Sequence, residues 1–328
     1  MIYIVIVNYR TSDLVAQCLE SIFVQKKTLY DLKVIIIDNC SEDNSDVKLQ
    51  NFVKSRNWAN WVDVMHMPRN GGFAYGCNAG IRYAFSQAES VKYIMLLNPD
   101  TLVREGAIEA LFKFLEMNSN VGMAGSLLEN VDGGIEASAH NFHSPISELL
   151  EGARLGVLTS IFPKHQVTSE VEAYAHQCDW VSGSSMMIRK QLIDDIGLLD
   201  EVYFLYFEEV DFFYRAAKAG WQTWYVPTSK VMHIEGAATG IKLTKRRPKY
   251  WYNSRRRYFV KHYGVYGLVC ADLLWFLGRL SFMFRRFLRL GAQKGYQDPK
   301  WLILDLLSGD LLAILTGRVW RLEKEKIK

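Results

Sequence analysis

Apolar runs alternate along the first third of the chain with segments whose apolar residues recur at helical spacing. The apolar runs cover residues 2–7, 34–37 and 93–97, and such uniform runs are typical of parallel strands buried on both faces. Helical spacing covers residues 13–24, 47–55, 73–88 and 105–117. This alternation predicts right-handed βαβ units in a doubly wound α/β sheet. No basic segment precedes the first run, so we expect a strand there and not a signal peptide.

Polar side chains stand where each of these predicted strands ends. Asn8 follows the first run, Asp38 follows the second, and Asn98, Pro99 and Asp100 follow the third. Asn, Pro and Asp are favoured turn formers, so the last motif alone also fits an ordinary turn. In an open α/β sheet, however, ligands bind beyond the carboxyl ends of the strands. A carboxylate at this edge can hold a divalent metal against a substrate diphosphate.

A glycine-rich segment, residues 68–80, leads into the third helical segment. Gly71 and Gly72 permit positive φ at the head of this helix, where backbone N–H groups favour an anion such as a nucleotide phosphate. Glycine turns are also common without any ligand. Gly76 and Gly80 lie inside the helix, where each costs up to about 1 kcal/mol relative to alanine. We therefore expect close packing or ligand approach at both positions.

An acidic cluster, Glu208, Glu209 and Asp211, lies among aromatic residues. Burial beside aromatic rings raises a carboxyl pKa toward the range that suits a general base. The same residues also fit a helix start, with acids in the first turn and Arg215 pairing with Asp211. Downstream, His233 ends another apolar run just before a glycine-containing loop. A lone histidine is usually structural, so its interpretation depends on its neighbours.

Length, cysteine content and charge limit the class of protein. The chain has 328 residues, which suits one large α/β domain with an appendage. Its five cysteines are scattered without a CxxC pair, so neither a zinc site nor a disulfide framework is indicated, and we expect a reducing, cytosolic compartment. Residues 242–294 contain fourteen lysines and arginines and a single acid. This change in charge balance predicts a boundary near residue 240, with domains at residues 1–240 and 241–328.

Six motifs occur in an order that resembles the inverting glycosyltransferases of family 2. They are residues 6–9, 37–43, 69–80, 97–101, 180–183 and 208–211. Within that family the chain looks most like the bacterial rhamnosyltransferase-type enzymes, and the resemblance covers about residues 1–262. It implies a nucleotide-sugar-binding domain of the GT-A type, with a mainly parallel sheet flanked by helices, followed by C-terminal amphipathic helices.

The resemblance also implies roles for individual residues. Asp38 matches the acid that contacts the pyrimidine base or ribose, and Asp100 with His233 matches the ligands of Mg²⁺ or Mn²⁺. Asn98 replaces the first aspartate of the family's DxD motif. Glu209 matches the catalytic base, although the usual Glu-Asp pair is Glu208-Glu209 here, so which acid reaches the acceptor stays open. The expected catalytic residues are Glu209, Glu208 and Asp211, and the expected donor contacts are Asn8, Tyr9, Asp38, Arg69, Asn70, Gly71, Gly72, Asn78, Asn98, Asp100, Trp180 and Gly183.

The implied function is metal-dependent sugar transfer with inversion. We expect L-rhamnose to pass from dTDP-L-rhamnose to a lipid-linked glycan acceptor in surface polysaccharide synthesis. Two alternatives stay open: a nucleotidyltransferase and a non-catalytic sugar-nucleotide binding protein. Nucleotidyltransferases usually carry a glycine-rich, basic loop directly after the first strand, whereas residues 8–12 contain no glycine. The sequence leaves open whether the chain forms a homo-oligomer.

The C-terminal region interleaves basic and aromatic residues. Residues 246–259 could bind nucleic acid through phosphates and stacking, but the following pattern favours lipid. Five apolar residues share one helical face, and three charged residues recur on another face: Leu273, Leu277, Leu280, Phe284 and Phe287, against Asp272, Arg279 and Arg286. This pattern predicts an amphipathic helix lying in the interface of an anionic membrane, supplemented by residues 301–315. We therefore expect peripheral association with the inner face of the cell membrane and no nucleic-acid partner. Packing on the catalytic domain or on a partner subunit is the alternative.

Overall fold

The computed structural model describes residues 1–26, 31–87, 90–168, 171–234, 245–288, 290 and 298–325. The chain divides into two compact units. The first contains Met1–His140, Thr168–Phe204 and Glu208–Gly240, and the second contains Asn141–Val167, Leu205–Phe207 and Ile241–Lys328. The predicted boundary near residue 240 lies outside the described residues, so domains at 1–240 and 241–328 stay a prediction. Two segments that precede this boundary belong to the second unit.

The elements follow one another in this order. The first half of the chain contains β1 Ile2–Asn8, α1 Ser12–Lys26, β2 Leu32–Asp38, α2 Ser45–Ser55, β3 Val62–His66, α3 Phe73–Gln87, β4 Tyr93–Leu97, β5 Thr101–Val103, α4 Ala107–Met117, β6 Val121–Glu129, β7 Ile135–Glu136, β8 Ala139–His140, α5 Pro145–Ala153 and α6 Gly156–Ile161. The second half contains β9 His176–Cys178, β10 Trp180–Val181, β11 Ser185–Arg189, α7 Lys190–Ile196, α8 Glu208–Lys218, β12 Gln222–His233, α9 Lys249–Phe287, α10 Leu302–Leu315 and α11 Arg318–Glu325. A short 3₁₀ turn follows α6.

The main sheet has the strand order β3-β2-β1-β4-β11-β6-β12-β5. Strands β1 to β4 are parallel, and β12 runs parallel to β6. Strand β11 is antiparallel to both of its neighbours. Every residue of β1 and β4 is buried, as expected of strands covered on both faces. The predicted α/β sheet with a mainly parallel order is therefore confirmed.

Strand register brings the polar strand ends to one edge of this sheet. Asn8 pairs with Asp38 between β1 and β2, and Asp38 pairs with His66 between β2 and β3. At the far end of the sheet, β5 runs antiparallel to β12 and places His233 opposite Thr101. Because Thr101 directly follows Asp100, this short strand brings the carboxylate and the imidazole together.

The glycines inside α3 allow the helix to lie close against β1. A methyl group added at Gly76 would lie 2.7 Å from a methyl of Val7, and one added at Gly80 would lie 2.4 Å from a methyl of Val5. Both distances are shorter than carbon atoms tolerate. The expected close packing at these two glycines is therefore confirmed, and it holds the start of α3 beside the strand ends.

The second unit packs α5 against α9 around a buried charge cluster. Arg255 is 1% exposed, and its guanidinium lies 3.0 Å from Glu148, 2.8 Å from Asp272 and 3.2 Å from Asp310. Helix α9 is interrupted at Gly264, which has φ 72°. Among the described residues, α9 is the one helix long and apolar enough to cross a membrane by length and composition alone.

Two of the three charged residues that the sequence placed on one face of α9 are buried, whereas the third, Arg286, is exposed. Asp272 is 9% exposed and Arg279 is 2% exposed, with Arg279 Nη1 3.4 Å from Asp298 Oδ2. The opposite face carries a stripe of exposed apolar side chains: Tyr266, Val269, Leu273, Leu277, Leu280, Met283, Phe284 and Phe287. Asp272 and Arg279 therefore do not face solvent, in contrast to the charged residues of an ordinary amphipathic helix. The buried charges are paired within the unit, and the apolar side chains face outward.

Candidate active site

The end of β2 holds a buried carboxylate whose hydrogen-bonding positions are filled by the protein. Asp38 Oδ1 accepts from the Asn8 amide at 2.7 Å and from the Ser41 hydroxyl at 2.5 Å. Its Oδ2 accepts from the Ser41 backbone N–H at 3.2 Å and lies 3.0 Å from His66 Nδ1. Asp38 is only 1% exposed. Asn8 and Asp38 therefore form a buried support at the edge, and the expected contact of Asp38 with a base stays a prediction.

One group of three potential metal ligands occurs among the described residues, and it is located here. Ligating atoms of Asp38, Asp46 and His66 all lie within 4.8 Å of one another. A carboxylate offers about four acceptor positions, and those of Asp38 are already occupied. We therefore interpret this group as a hydrogen-bonded cluster. The exposed rim beside it includes Tyr9, which is 38% exposed, with the Arg10 guanidinium 5.1 Å from its ring centre.

The glycine-rich loop is fixed by its own side chains and by the segment before α8. Gly72 has φ 90°, and an added methyl group would collide with the Phe204 carbonyl oxygen at 2.1 Å. Asn70 Oδ1 accepts from the Gly72 N–H at 3.0 Å and from the Asn39 amide at 3.1 Å. These contacts require glycine at position 72 and explain how the loop keeps its shape.

Two other expected donor contacts in this region lie beside the loop. Arg69 places its guanidinium 4.7 Å from the ring centre of Tyr75, and an added methyl group at Gly71 would meet the same ring. Asn78 is buried, and its amide donates to the Leu199 carbonyl at 2.8 Å and to Glu201 Oε1 at 2.9 Å. Asn78 thus joins α3 to the segment before α8, and its expected contact with the donor stays a prediction.

The expected metal ligands lie together at the other side of the sheet edge. His233 Nε2 is 3.6 Å from Asp100 Oδ1, which is too long for a hydrogen bond but compatible with two ligands on one ion. Asp100 is 3% exposed and His233 is 9% exposed. Within the described part of the chain, His233 Nδ1 has no hydrogen-bond partner, and Glu136 lies 3.8 Å away. A carboxylate and an imidazole in this arrangement fit a divalent cation such as Mn²⁺ or Mg²⁺.

Asn98 is connected to the Asp100–His233 pair through Ser184, a residue that the sequence did not single out. The Asn98 amide lies 3.4 Å from Ser184 Oγ, and this hydroxyl is also 3.4 Å from His233 Nε2. Ser184 directly follows the motif at residues 180–183, and that position was the available signal. Glu136 was also missed, because nothing in its surrounding sequence connects it with His233.

The adjacent glutamates begin α8 in different environments. Glu208 is 2% exposed, whereas Glu209 is more accessible. Burial raises the pKa of both carboxyls, and the charge of Glu209 raises the pKa of Glu208 further, to well above its usual range. Within the described residues, the Oε2 atoms of both side chains are buried without a hydrogen-bond partner. Each carboxyl therefore keeps one oxygen that no described protein group occupies.

Asp211 has a different environment from these two acids. It is fully buried, and its Oδ2 accepts from Arg215 Nε at 3.0 Å. The same guanidinium donates to the carbonyls of Ile196 and Leu198 at 2.7 Å. These contacts match the helix-start interpretation, in which Arg215 pairs with Asp211 one turn earlier. A catalytic role for Asp211 stays a prediction.

The segment from Trp180 to Ser184 contacts both halves of the candidate site. Trp180 stacks on His140 with ring centres 4.2 Å apart. A methyl group added at Gly183 would lie 3.8 Å from the Glu209 side chain, while the next residue, Ser184, contacts Asn98 and His233. One short segment therefore brings the acid pair and the Asp100–His233 pair to the same place.

Comparisons with known proteins agree with this arrangement. The family model described as "Glycosyl transferase family 2" matches residues 3–196, more than half of the chain. The chain belongs to glycosyltransferase family 2. The polypeptide is also similar to the mannosyltransferase PcManGT from Pyrobaculum calidifontis in complex with GDP-Man and Mn²⁺, with a TM-score of 0.54 and 12% identity over 99% of this chain and 84% of that one. This likeness confirms the GT-A type fold.

Curated relatives include enzymes named for rhamnose transfer. The N-acetylglucosaminyl-diphospho-decaprenol L-rhamnosyltransferase of Mycobacterium tuberculosis is 31% identical over 45% of this chain and 48% of its own length. The rhamnosyltransferase WbbL of Escherichia coli is 22% identical over 71% of this chain and 83% of its own length. The dTDP-rhamnosyl transferase RfbF of Shigella flexneri is 23% identical over 72% of this chain and 69% of its own length. The chain thus spans about half the length of the mycobacterial relative.

Proposed function

We propose that this protein is a metal-dependent inverting glycosyltransferase that uses Glu209 as its base. The observation that carries the proposal is the position of Gly183 and Ser184. A methyl group added at Gly183 would lie 3.8 Å from the Glu209 side chain, and Ser184 Oγ lies 3.4 Å from the Asn98 amide and from His233 Nε2. A sugar bound along this segment would therefore have a proton acceptor near one face and the cation ligands near the other.

Each group has a chemical task in this proposal. Asp100 and His233 would hold a divalent cation, which would supply Lewis-acid stabilisation of the negative charge on the departing nucleoside diphosphate. Glu209 accepts the proton of the acceptor hydroxyl as that oxygen attacks C1 of the sugar. Since the attack comes from the face opposite the leaving group, the anomeric configuration inverts. Burial and the charge of Glu209 raise the pKa of Glu208, which makes the neighbouring Glu209 the better candidate for the base.

The proposed substrates are dTDP-L-rhamnose and a lipid-linked glycan acceptor in surface polysaccharide synthesis. Support comes from the relatives named for rhamnose transfer, one of them to a decaprenol-linked sugar and one named for dTDP-rhamnose. These names describe those proteins. For this chain, the donor, the acceptor and the choice between Mg²⁺ and Mn²⁺ are proposals.

Thermal-shift measurements against a panel of nucleotide sugars, each with Mg²⁺ or Mn²⁺, test the site. A ligand that binds only the native state stabilises it by RT ln(1 + [L]/Kd), so dTDP-L-rhamnose should raise Tm most. Asp100→Ala should remove the metal-dependent part of this shift. Asp132→Ala, in an exposed turn, is the matched control and should keep it. An unchanged metal-dependent shift in Asp100→Ala would contradict the assigned ligands.

We place the protein at the inner, cytoplasmic face of the cell membrane as a peripheral protein. The exposed apolar stripe on α9 supports this location because its neighbouring charges, Asp272 and Arg279, are buried and paired inside the second unit. Further exposed apolar residues, including Leu311 and Leu315, lie on α10. Such a surface can insert into the headgroup region while Asp272 and Arg279 stay buried in the protein. Basic residues before α9 add attraction to anionic lipid of about 1 kcal/mol each.

Liposome flotation tests the location. The double substitution Leu277→Gln with Phe284→Gln removes two apolar side chains that are 56% and 63% exposed, and it should reduce recovery with anionic liposomes. Met117→Gln is the control, because Met117 is 82% exposed but lies on α4 of the first unit. Equal recovery of both variants, or assembly of the wild type into a dimer that buries the stripe, would overturn the membrane assignment.

A further inference from the structure

The exposed side chain beside buried Asp38 is His66. Strand register pairs the two residues at the ends of β2 and β3. The His66 side chain is 48% exposed, whereas that of Asp38 is 1% exposed. Since the acceptor positions of Asp38 are occupied by Asn8, Ser41 and His66, a nucleotide arriving at this edge meets the imidazole first.

The hydrogen bonds around Asp38 determine which nitrogen of His66 carries the proton. Both carboxylate oxygens already accept from groups that can only donate, the Asn8 amide N–H and the Ser41 backbone N–H. At 3.0 Å from Oδ2, His66 Nδ1 therefore donates. Asp46 Oδ2, at 3.7 Å from the same nitrogen, favours the same tautomer. A neutral imidazole protonated at Nδ1 presents Nε2 as a hydrogen-bond acceptor.

We propose that His66 Nε2 recognises the N3–H group of a uracil or thymine base, with Asp38 as the residue that fixes the ring. The proposal rests on the proposed function, because it assigns the base preference of the same donor site. Uracil and thymine carry a hydrogen on N3, whereas cytosine has a lone pair there. An acceptor at this position therefore selects uracil and thymine nucleotides against cytosine nucleotides.

Calorimetric titration of the full chain with nucleoside diphosphates tests this selection. The pairs dTDP and dCDP, and UDP and CDP, each share one sugar; their bases differ at N3 and in the group on C4, and thymine also carries a 5-methyl group. One hydrogen bond to the base contributes about 0.5–1.5 kcal/mol, and an acceptor facing a lone pair loses a similar amount. The wild type should therefore bind dTDP and UDP about 5-fold to 150-fold more tightly than their cytosine partners. Equal affinities within both pairs would overturn the proposal.

Two substitutions of His66 distinguish its hydrogen bond to the base from its hydrogen bond to Asp38. In His66→Asn the amide nitrogen lies near the Nδ1 position and can still donate to Asp38, but no atom occupies the Nε2 position. In His66→Gln the amide reaches the Nε2 position, where it can accept from N3–H or donate to the cytosine lone pair. We expect Asn to weaken dTDP and UDP binding and Gln to retain it while improving CDP binding. Each variant should lose the preference within the pairs.

The outcomes distinguish this inference from the proposed function. If His66→Asn keeps the wild-type preference, the histidine only supports Asp38 and the inference is wrong, while the glycosyltransferase proposal stands. If the wild type binds none of the four nucleotides in the presence of Mg²⁺ or Mn²⁺, the proposed function itself fails, and the inference fails with it. Circular dichroism and Tm confirm that each variant is folded.

Discussion

At the scale of single residues, Glu208 and Glu209 show how burial divides roles between identical side chains. The charge of Glu209 is one cause of the raised pKa of Glu208, whereas burial alone raises the pKa of Glu209. Glu208 thus has two causes for its raised pKa, burial and a neighbouring charge, whereas Glu209 has burial alone. Glu209 is also the more accessible of the two and is the proposed base.

Glu209→Gln should lower kcat by ~10² or more, because the amide cannot accept the acceptor's proton. Donor affinity should stay nearly unchanged, since the base acts on the acceptor. Glu208→Gln is the matched control: it makes the same change at the more buried neighbour and should retain most of the activity. Steady-state kinetics on both variants decides the assignment. If Glu208→Gln is inactive and Glu209→Gln is active, the catalytic base is Glu208 and our assignment is wrong.

At the scale of elements, the sequence was sufficient for features that depend on local pattern. Uniform apolar runs predicted β1, β2 and β4, and parallel pairing then put Asn8 and Asp38 at one edge. The partners of Asn78 were not predictable, because its amide bonds to residues more than 120 positions away. The contact of Ser184 with His233 likewise depends on β11 and β12 both pairing with β6 in the folded sheet. Pattern predicts the elements, whereas contacts across them require the tertiary structure.

The packing of α3 on β1 predicts a clash for Gly80→Ala. The new methyl group would lie 2.4 Å from the Val5 side chain, which is 1% exposed. We expect a loss of about 1–3 kcal/mol in the free energy of unfolding, as for other overpacked cores. Denaturant titration measures it. Adding Val5→Ala should recover part of the loss, and strictly additive effects of the two substitutions would show that the methyl group is accommodated elsewhere.

At the scale of the whole molecule, the sequence predicted the two faces of α9 but not which of them would be buried. Helical spacing separated Leu273 and Leu277 from Asp272 and Arg279. It could not show that α5 and α10 supply Glu148 and Asp310, whose charges surround Arg255 and allow the polar face to be buried. Burial in this cluster raises the pKa of Asp272 to about 7 despite the adjacent Arg255.

The raised pKa of Asp272 predicts that the stability of the second unit depends on pH. A carboxyl whose pKa is about 7 when folded and about 3.8 when unfolded binds more protons in the folded state between these values. Stability should therefore fall as pH rises from about 4 to 7, because Asp272 must ionise while buried. Hydrogen exchange of α9 peptides measures the effect, after correction for the intrinsic rate at each pH. Asp272→Asn should flatten the profile, and an unchanged slope would assign it to other groups.

The central claim is metal-dependent sugar transfer with inversion, and a transfer assay tests it most directly. The full chain is incubated with dTDP-L-rhamnose, Mg²⁺ or Mn²⁺ and a polyprenyl-diphosphate-linked sugar, and product configuration is determined by NMR alongside dTDP release. We predict a glycoside whose anomeric configuration is opposite to that of the donor, formed only with the cation and not by Asp100→Ala. A product that retains the donor configuration, or equal turnover in chelator, would contradict the account.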